Sequence, residues 1–291
     1  MCFRFLFILA TGLLLNSFNA YALNYPSSGV IPYYGERLYL ALKGGARDVE
    51  LLKNIKEVLK SKHLQINNGQ DQIVSSCGSA KQCYSHFAVG YDNARIFLMG
   101  QFYLVGDGNN YAVKDVYCSK EYSADDFGGG TKPGPNKVPD SRFVNTEHTW
   151  PQSRFSNRYD NGLQKSDLHH LFPTDSELNS IRGSFKFGEV TRDRMILKCP
   201  VSRFGSSSTS GDLVFEPPKV HRGNVARALF YFSTRYDLPI DSNEESTLKK
   251  WNKEDPVDLE ELDRQEKIFQ LQGNRNPFID YPGMVDLIGD F

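Results

Sequence analysis

Glu147 and His148 are neighbours in the chain, and a second pair of histidines, His169 and His170, follows them. An imidazole titrates close to neutrality, so such residues can carry protons or ligate a metal. The carboxylate placed directly before His148 offers a hard oxygen ligand, and the amide of Asn179 offers another. Magnesium favours oxygen ligands and keeps several waters, so these two groups and a substrate phosphate suffice to hold it. The competing reading of a histidine is an exposed or internally satisfied side chain, and the His169 and His170 pair taken alone fits that reading better.

The elements that must position these residues are legible in outline. Residues 48–61 carry Val49, Leu51, Leu52, Ile55, Val58 and Leu59 at helical spacing, which predicts an amphipathic helix. Ala94 to Val105 reads as a strand, Gly106 to Asn110 as a turn and Tyr111 to Cys118 as the returning strand of a hairpin. Glycines and prolines from Gly128 to Pro139 mark a loop leading to Phe143 and Val144. In a regular strand Glu147 and His148 would face opposite sides. Both can serve one phosphate only if the strand ends or bends there, and Trp150 before Pro151 is restricted to extended conformations, consistent with a reversal nearby.

Thr174 to Glu177 has the form of a capping box and predicts a short helix through about Arg182, with Asn179 and Arg182 on one face. Apolar segments at 195–200 and 213–217 predict a second hairpin, Gly223 to Tyr236 a strongly apolar helix, and 254–272 a final helix on the outside. Hairpins mixed with helices and no internal repeat give an α+β fold.

Four blocks then carry a resemblance: VNTEHTWPQSRF (144–155), DLHHLFPTDSELNSIRGSFKFGEV (167–190), RGNVARALFYFSTRYDL (222–238) and QGNRNPFID (272–280). In that order, and together with the region from YDNARIFLMG to VKDVYC, they resemble the endonuclease I family of secreted and periplasmic nucleases. The resemblance implies a ββα-metal core of the His-Me finger type and sequence-nonspecific cleavage of DNA, often of RNA as well. It makes His148 the general base and Glu147 and Asn179 the ligands of one Mg2+, with products ending in 5′-phosphate and 3′-hydroxyl. The arginine that neutralises the developing charge falls on Arg154, because the loop after the histidine motif is short and offers only Arg154 and Arg158. Arg182, Lys186, Arg222 and Arg227 are the expected phosphate contacts. For Arg227, which interrupts an apolar helix, an internal carboxylate partner is an equal alternative. Asp167 and His169 match a position that braces the metal site, and Trp150 reads as a core aromatic rather than a base-stacking platform.

Composition sets the limits. The 291 residues are 24% charged and 40% hydrophobic, as in a folded globular protein rather than a disordered or multi-span membrane chain. The formal net charge of −1 excludes a uniformly basic coat. Residues 131–235, however, hold 16 basic and 10 acidic side chains, so a local basic cleft is possible. Arg4, an apolar run from Phe5 to Leu15 and the small-residue site at Ala20 to Ala22 form a signal peptide pattern, too short to span a bilayer. Cleavage after Ala22 would leave a single domain over 23–291, secreted or periplasmic, acting as a monomer on nucleic acid and away from the membrane. Four cysteines remain, and an even count in an exported chain suggests disulfides, with Cys77–Cys83 closing a local loop and Cys118–Cys199 joining two strands. Two other functions compete: a noncatalytic nucleic-acid capture protein, and a zinc hydrolase using His148, His169 and His170.

Overall fold

The computed structural model describes residues 30–108, 110–207 and 209–291; the expected signal peptide lies outside them. Helices α1 (Gly35–Lys43) and α2 (Asp48–Lys60) open the chain. As its spacing predicts, α2 buries Leu51, Ile55, Val58 and Leu59, but Val49 stays exposed. Strands β1 (Lys62–Leu64), β2 (Gln72–Val74) and β3 (Cys83–Tyr84) then form a small antiparallel sheet in the order β2-β1-β3, clasped by the Cys77–Cys83 disulfide.

The segment expected to be a strand from Ala94 is helical instead. α3 (Tyr91–Phe97) continues into a π-helical turn at Leu98–Phe102, and only β4 (Leu104–Val105) is extended. Ala94, Phe97, Leu98 and Met99 are all buried. A short apolar run such as Ile96 to Gly100 shows no period, so hydrophobicity alone does not separate strand from helix. The returning strand is β5 (Ala112–Asp115), which lies between β4 and β6 (Lys120–Ser123).

The centre of the molecule is an antiparallel pair followed directly by a helix. β7 (Val144–His148) pairs with β8 (Leu171–Asp175) in a register that sets Glu147 opposite Phe172 and His148 opposite Leu171, with the short α4 (Asn161–Lys165) in their connection. α5 (Ser176–Arg182) starts on the next residue. Its cap is Asp175 rather than Thr174: the Asp175 carboxylate accepts from the backbone of Glu177 at 3.1 Å and Leu178 at 3.0 Å. Thr174 is still paired in β8, so the helix cannot begin until one residue later.

A four-stranded sheet follows, built from β9 (Lys186–Phe187), β10 (Val190–Met195), β11 (Arg203–Ser207) and β12 (Leu213–Glu216) in the order β10-β11-β12-β9. The second hairpin is therefore β11 with β12, and residues 196–202 form a connection rather than the strand expected at 195–200. Cys118 is joined to Cys199 as expected, although Cys118 follows β5 and Cys199 lies in that connection, so neither is a strand residue.

α6 (Arg222–Tyr236) is the interior helix, with every residue from Val225 to Tyr236 buried. A helix buried on every face needs cover on all sides, and Arg227, Ser233, Thr234 and Arg235 are enclosed with the apolar residues. α2, α7 (Ser242–Glu254) and α9 (Pro277–Asp280) supply much of it, and α8 (Leu259–Gln272) packs nearby with an exposed outer face, as expected for the acidic stretch. One hydrophobic cluster runs from Tyr33 to Phe291, and a second, from Ala94 to Ile268, packs α3 against β5, β7 and β8. Among the described residues no helix is long and apolar enough to cross a membrane.

Candidate active site

β7 ends at His148, and a 3-10 turn at Gln152–Arg154 follows Pro151, so the strand closes where the sequence requires it. Trp150 stacks on Phe232 at 5.4 Å and donates its indole N–H to Arg154 O at 3.0 Å, which makes it a core aromatic. The pleat directs Glu147 and His148 into different surroundings.

Glu147 is buried against α5 and Tyr117. Its Oε1 accepts the Tyr117 hydroxyl at 2.7 Å and lies 2.7 Å from Arg182 Nη1. Burial raises the pKa of this carboxyl, and the Arg182 charge and the Tyr117 hydrogen bond oppose that rise. Both of these contacts fall on Oε1, and Oε2 accepts no side-chain hydrogen bond among the described residues. Asn179, also on α5, donates Nδ2–H to Thr146 O at 3.3 Å. An amide anchored through its nitrogen presents its oxygen, and Oδ1 accepts no hydrogen bond among the described residues. A carboxylate oxygen and an amide oxygen are the hard donors that suit magnesium, so the residues present fit that ion.

His148 turns the other way, between Tyr91 (5.5 Å between ring centres), Phe155 (6.0 Å) and His170 (5.4 Å). Its Nε2 lies 3.1 Å from Lys165 O, and Nδ1 lies 3.3 Å from the amide nitrogen of Gln152. A backbone carbonyl only accepts, so Nε2 carries the proton and Nδ1 presents its lone pair. Burial, reinforced by the neighbouring His170, pushes the pKa of His148 down to about 3, which keeps the ring neutral.

His169 and His170 have other partners. His169 Nε2 points to Asn274 O at 3.2 Å and His170 Nε2 to Gln164 O at 2.9 Å. Among the described residues no three His, Cys, Asp or Glu side chains gather into a metal site, so the zinc alternative has no ligand cage. Asp167 is wholly buried and accepts hydrogen bonds from the hydroxyls of Tyr231 and Tyr236, both at 2.8 Å, and from Gln272 Nε2 at 2.9 Å. It braces the turn that enters β8.

The basic residues divide. Arg182 is buried, donating to His148 O at 2.9 Å and to Thr149 O, with its guanidinium 4.4 Å from the Phe187 ring centre. It therefore holds Glu147 and the end of β7 rather than contacting phosphate from the surface. Arg227 is likewise internal: Nε and Nη2 reach the two oxygens of Glu261 at 2.8 and 2.6 Å, the carboxylate partner of the alternative reading. Arg222 is largely covered, paired with Glu216 and set over Trp251. Lys186 and Arg154 are the half-exposed pair near the start of α7. Lys186 is 2.8 Å from Asp241 Oδ2, while Arg154 donates to Ser184 O and lies 4.0 Å from Glu244. Sequence reasoning missed Tyr117 and Gln152, whose roles depend on pairing across the fold; the alternation of side chains from Tyr111 to Cys118 is the one signal for the former.

The chain belongs to the endonuclease I family, whose model matches residues 80–283. The extracellular ribonuclease of Bacillus subtilis (strain 168) is 36% identical over 165 residues, which cover 50% of this chain and 53% of that protein. An extracellular deoxyribonuclease of Aeromonas hydrophila is 32% identical over 120 residues, covering 40% of this chain and 49% of its own length. Endonuclease-1 of Buchnera aphidicola subsp. Acyrthosiphon pisum (strain APS) is 31% identical over 118 residues, 40% and 44% of the two chains. The chain spans about half the length of the curated relatives it matches.

Proposed function

We propose that the protein is a secreted or periplasmic, Mg2+-dependent, sequence-nonspecific endonuclease that cleaves DNA and RNA on a ββα-metal core of the His-Me finger type. The observation that carries this reading is a neutral His148 whose tautomer is fixed by Lys165 O, on a strand whose preceding residue, Glu147, is held by Arg182 of the same helix that carries Asn179. Family membership supports it, as do relatives named both ribonuclease and deoxyribonuclease.

In this mechanism water replaces the Gln152 N–H on the lone pair of His148 Nδ1, which then takes a proton from that water. The resulting hydroxide attacks phosphorus in line, the bond to the 3′ oxygen breaks, and that oxygen is protonated from solvent, leaving 5′-phosphate and 3′-hydroxyl ends. A bound phosphodiester brings negative charge next to the ring, which raises its proton affinity when it must act as a base. Glu147 Oε2 and Asn179 Oδ1 would hold one Mg2+, whose charge stabilises the phosphate and leaving oxygens when bound. Arg154 is the half-exposed guanidinium available to the developing charge.

Incubating the mature protein with plasmid DNA and with RNA, in Mg2+ and in EDTA, tests the proposal. Cleavage of both in Mg2+ alone is expected. Binding without cleavage in either condition would identify a capture protein instead.

A further inference from the structure

β10 is an edge strand, and its register against β11 shifts twice, between Val190 and Arg192 and between Asp193 and Met195. Each shift sets an extra residue on β10, a β-bulge that bends the strand and re-aims its side chains. All residues from Thr191 to Met195 are exposed as a result, where a strand with one packed face would hide alternate positions. The close approach depends on Gly205: a Cβ there would stand 2.1 Å from Arg192 O. A doubly bulged edge is also a poor template for an added strand.

The connection after β10 carries Ile196, 97% exposed, beside Met195 at 48%, with Val201 at 47% on its far side. It is held at three points. Lys198 Nζ lies 2.8 Å from Asp175 and 3.1 Å from Glu177 at the start of α5, Cys199 is bonded to Cys118, and the Ser202 hydroxyl donates to Tyr117 O at 2.7 Å. Leu197 is buried in the core between these exposed neighbours. The apolar tip is therefore a fixed projection attached to the helix that carries Asn179 and to the tyrosine that contacts Glu147. Arg192 and Arg194 are exposed with no carboxylate at ion-pair distance among the described residues, while Asp193 between them is taken by Arg203.

We propose that this arm is a nucleic-acid contact in which Arg192 and Arg194 engage phosphates and Ile196, with Met195, packs against a base released from its stack. The inference rests on the nuclease reading above. Unpaired cations on the approach to an apolar tip match a polyanion with flat apolar bases, and apolar side chains are the wedges that proteins place between base steps. Every base has an apolar face, so such a contact tolerates any sequence and favours single strands or steps that unstack easily.

The test uses a His148→Ala chain in Mg2+ with single-stranded oligonucleotides carrying 2-aminopurine, whose fluorescence rises on unstacking. Adding Ile196→Ser should weaken binding roughly five- to tenfold, as for loss of one base contact, and abolish the fluorescence rise. Arg192→Ala and Arg194→Ala should each flatten the salt dependence by about 0.7 on single strands. Melting temperatures should not change, and in the His148-intact chain all three substitutions should leave hydrolysis of bis(p-nitrophenyl) phosphate, too small to reach the arm, as it was. An unchanged fluorescence rise in Ile196→Ser overturns the base contact, and unchanged salt slopes overturn the phosphate contacts and leave the arm to a protein partner. Failure of the nuclease reading looks different: the unsubstituted chain would cleave neither polynucleotides nor the small diester.

Discussion

Arg182 and Glu147 form a buried ion pair at 2.7 Å between α5 and β7, and the same guanidinium caps the carbonyls of His148 and Thr149. One side chain thus fixes a proposed metal ligand and the backbone of the proposed base. Arg182→Met leaves Glu147 buried without its ionic partner and should cost about 3–5 kcal/mol. Adding Glu147→Gln should recover part of that loss. Urea unfolding of the two single variants and the double variant measures the coupling, and strict additivity would mean the pair is not a unit.

His148→Ala should fold normally and lose on the order of 10²–10⁴ in turnover, the range for a general base. Glu147→Ala and Asn179→Ala should instead raise the Mg2+ concentration needed for half activity. Near-normal cleavage by His148→Ala removes it from the mechanism, and unshifted Mg2+ titrations remove the ligand assignment.

The half-exposed Lys186 should behave differently from the internal arginines. Lys186→Ala should flatten the salt dependence of duplex binding by about 0.9, the share of one phosphate contact. Arg227→Met should leave that slope as it is and lower stability, because it strands Glu261. Equal slope changes would return Arg227 to the substrate path.

Buried histidines set the acid limit of the fold. Burial lowers the pKa of His86 and His170 to about 4, of His148, His169 and His221 to about 3, and that of His63 below its ordinary value. In the unfolded chain each protonates near 6.5, about the value for a free imidazole. Their contribution is complete above that pH and declines as pH falls toward 4, since the unfolded state then binds protons the native state refuses. Unfolding free energies from urea titrations should drop steadily between pH 7 and 4.5, and a flat profile would show that the folded imidazoles accept protons.

The proposed catalytic group is legible because proton chemistry and metal ligation restrict residue type, and the structure sets Glu147, His148 and Asn179 in one β-β-α run of the chain. α2 and α6 were legible from their spacing, and both cysteine pairs from parity and the short loop between Cys77 and Cys83. The destinations of charges were not. Arg182 looks like a surface cation, and Arg227 fits a phosphate contact and an internal ion pair equally, until Glu147 and Glu261, from other elements, are brought against them. Local pattern was also ambiguous at two joints: the apolar run from Ala94 fits a strand or a buried helix, and Thr174 fits a cap until its pairing with Asn145 is known.

The brace at Asp167 bears on when the molecule becomes competent. Asp167 precedes β8, yet one of its hydrogen-bond donors is Gln272, 105 residues further along, and two others, Tyr231 and Tyr236, belong to α6. A carboxylate enclosed without donors is strongly disfavoured. As the chain emerges from its amino end, Glu147, His148 and Asn179 all appear before the groups that allow Asp167 to be enclosed. The side chains proposed to react are written early and armed late, with the delay set by chain order.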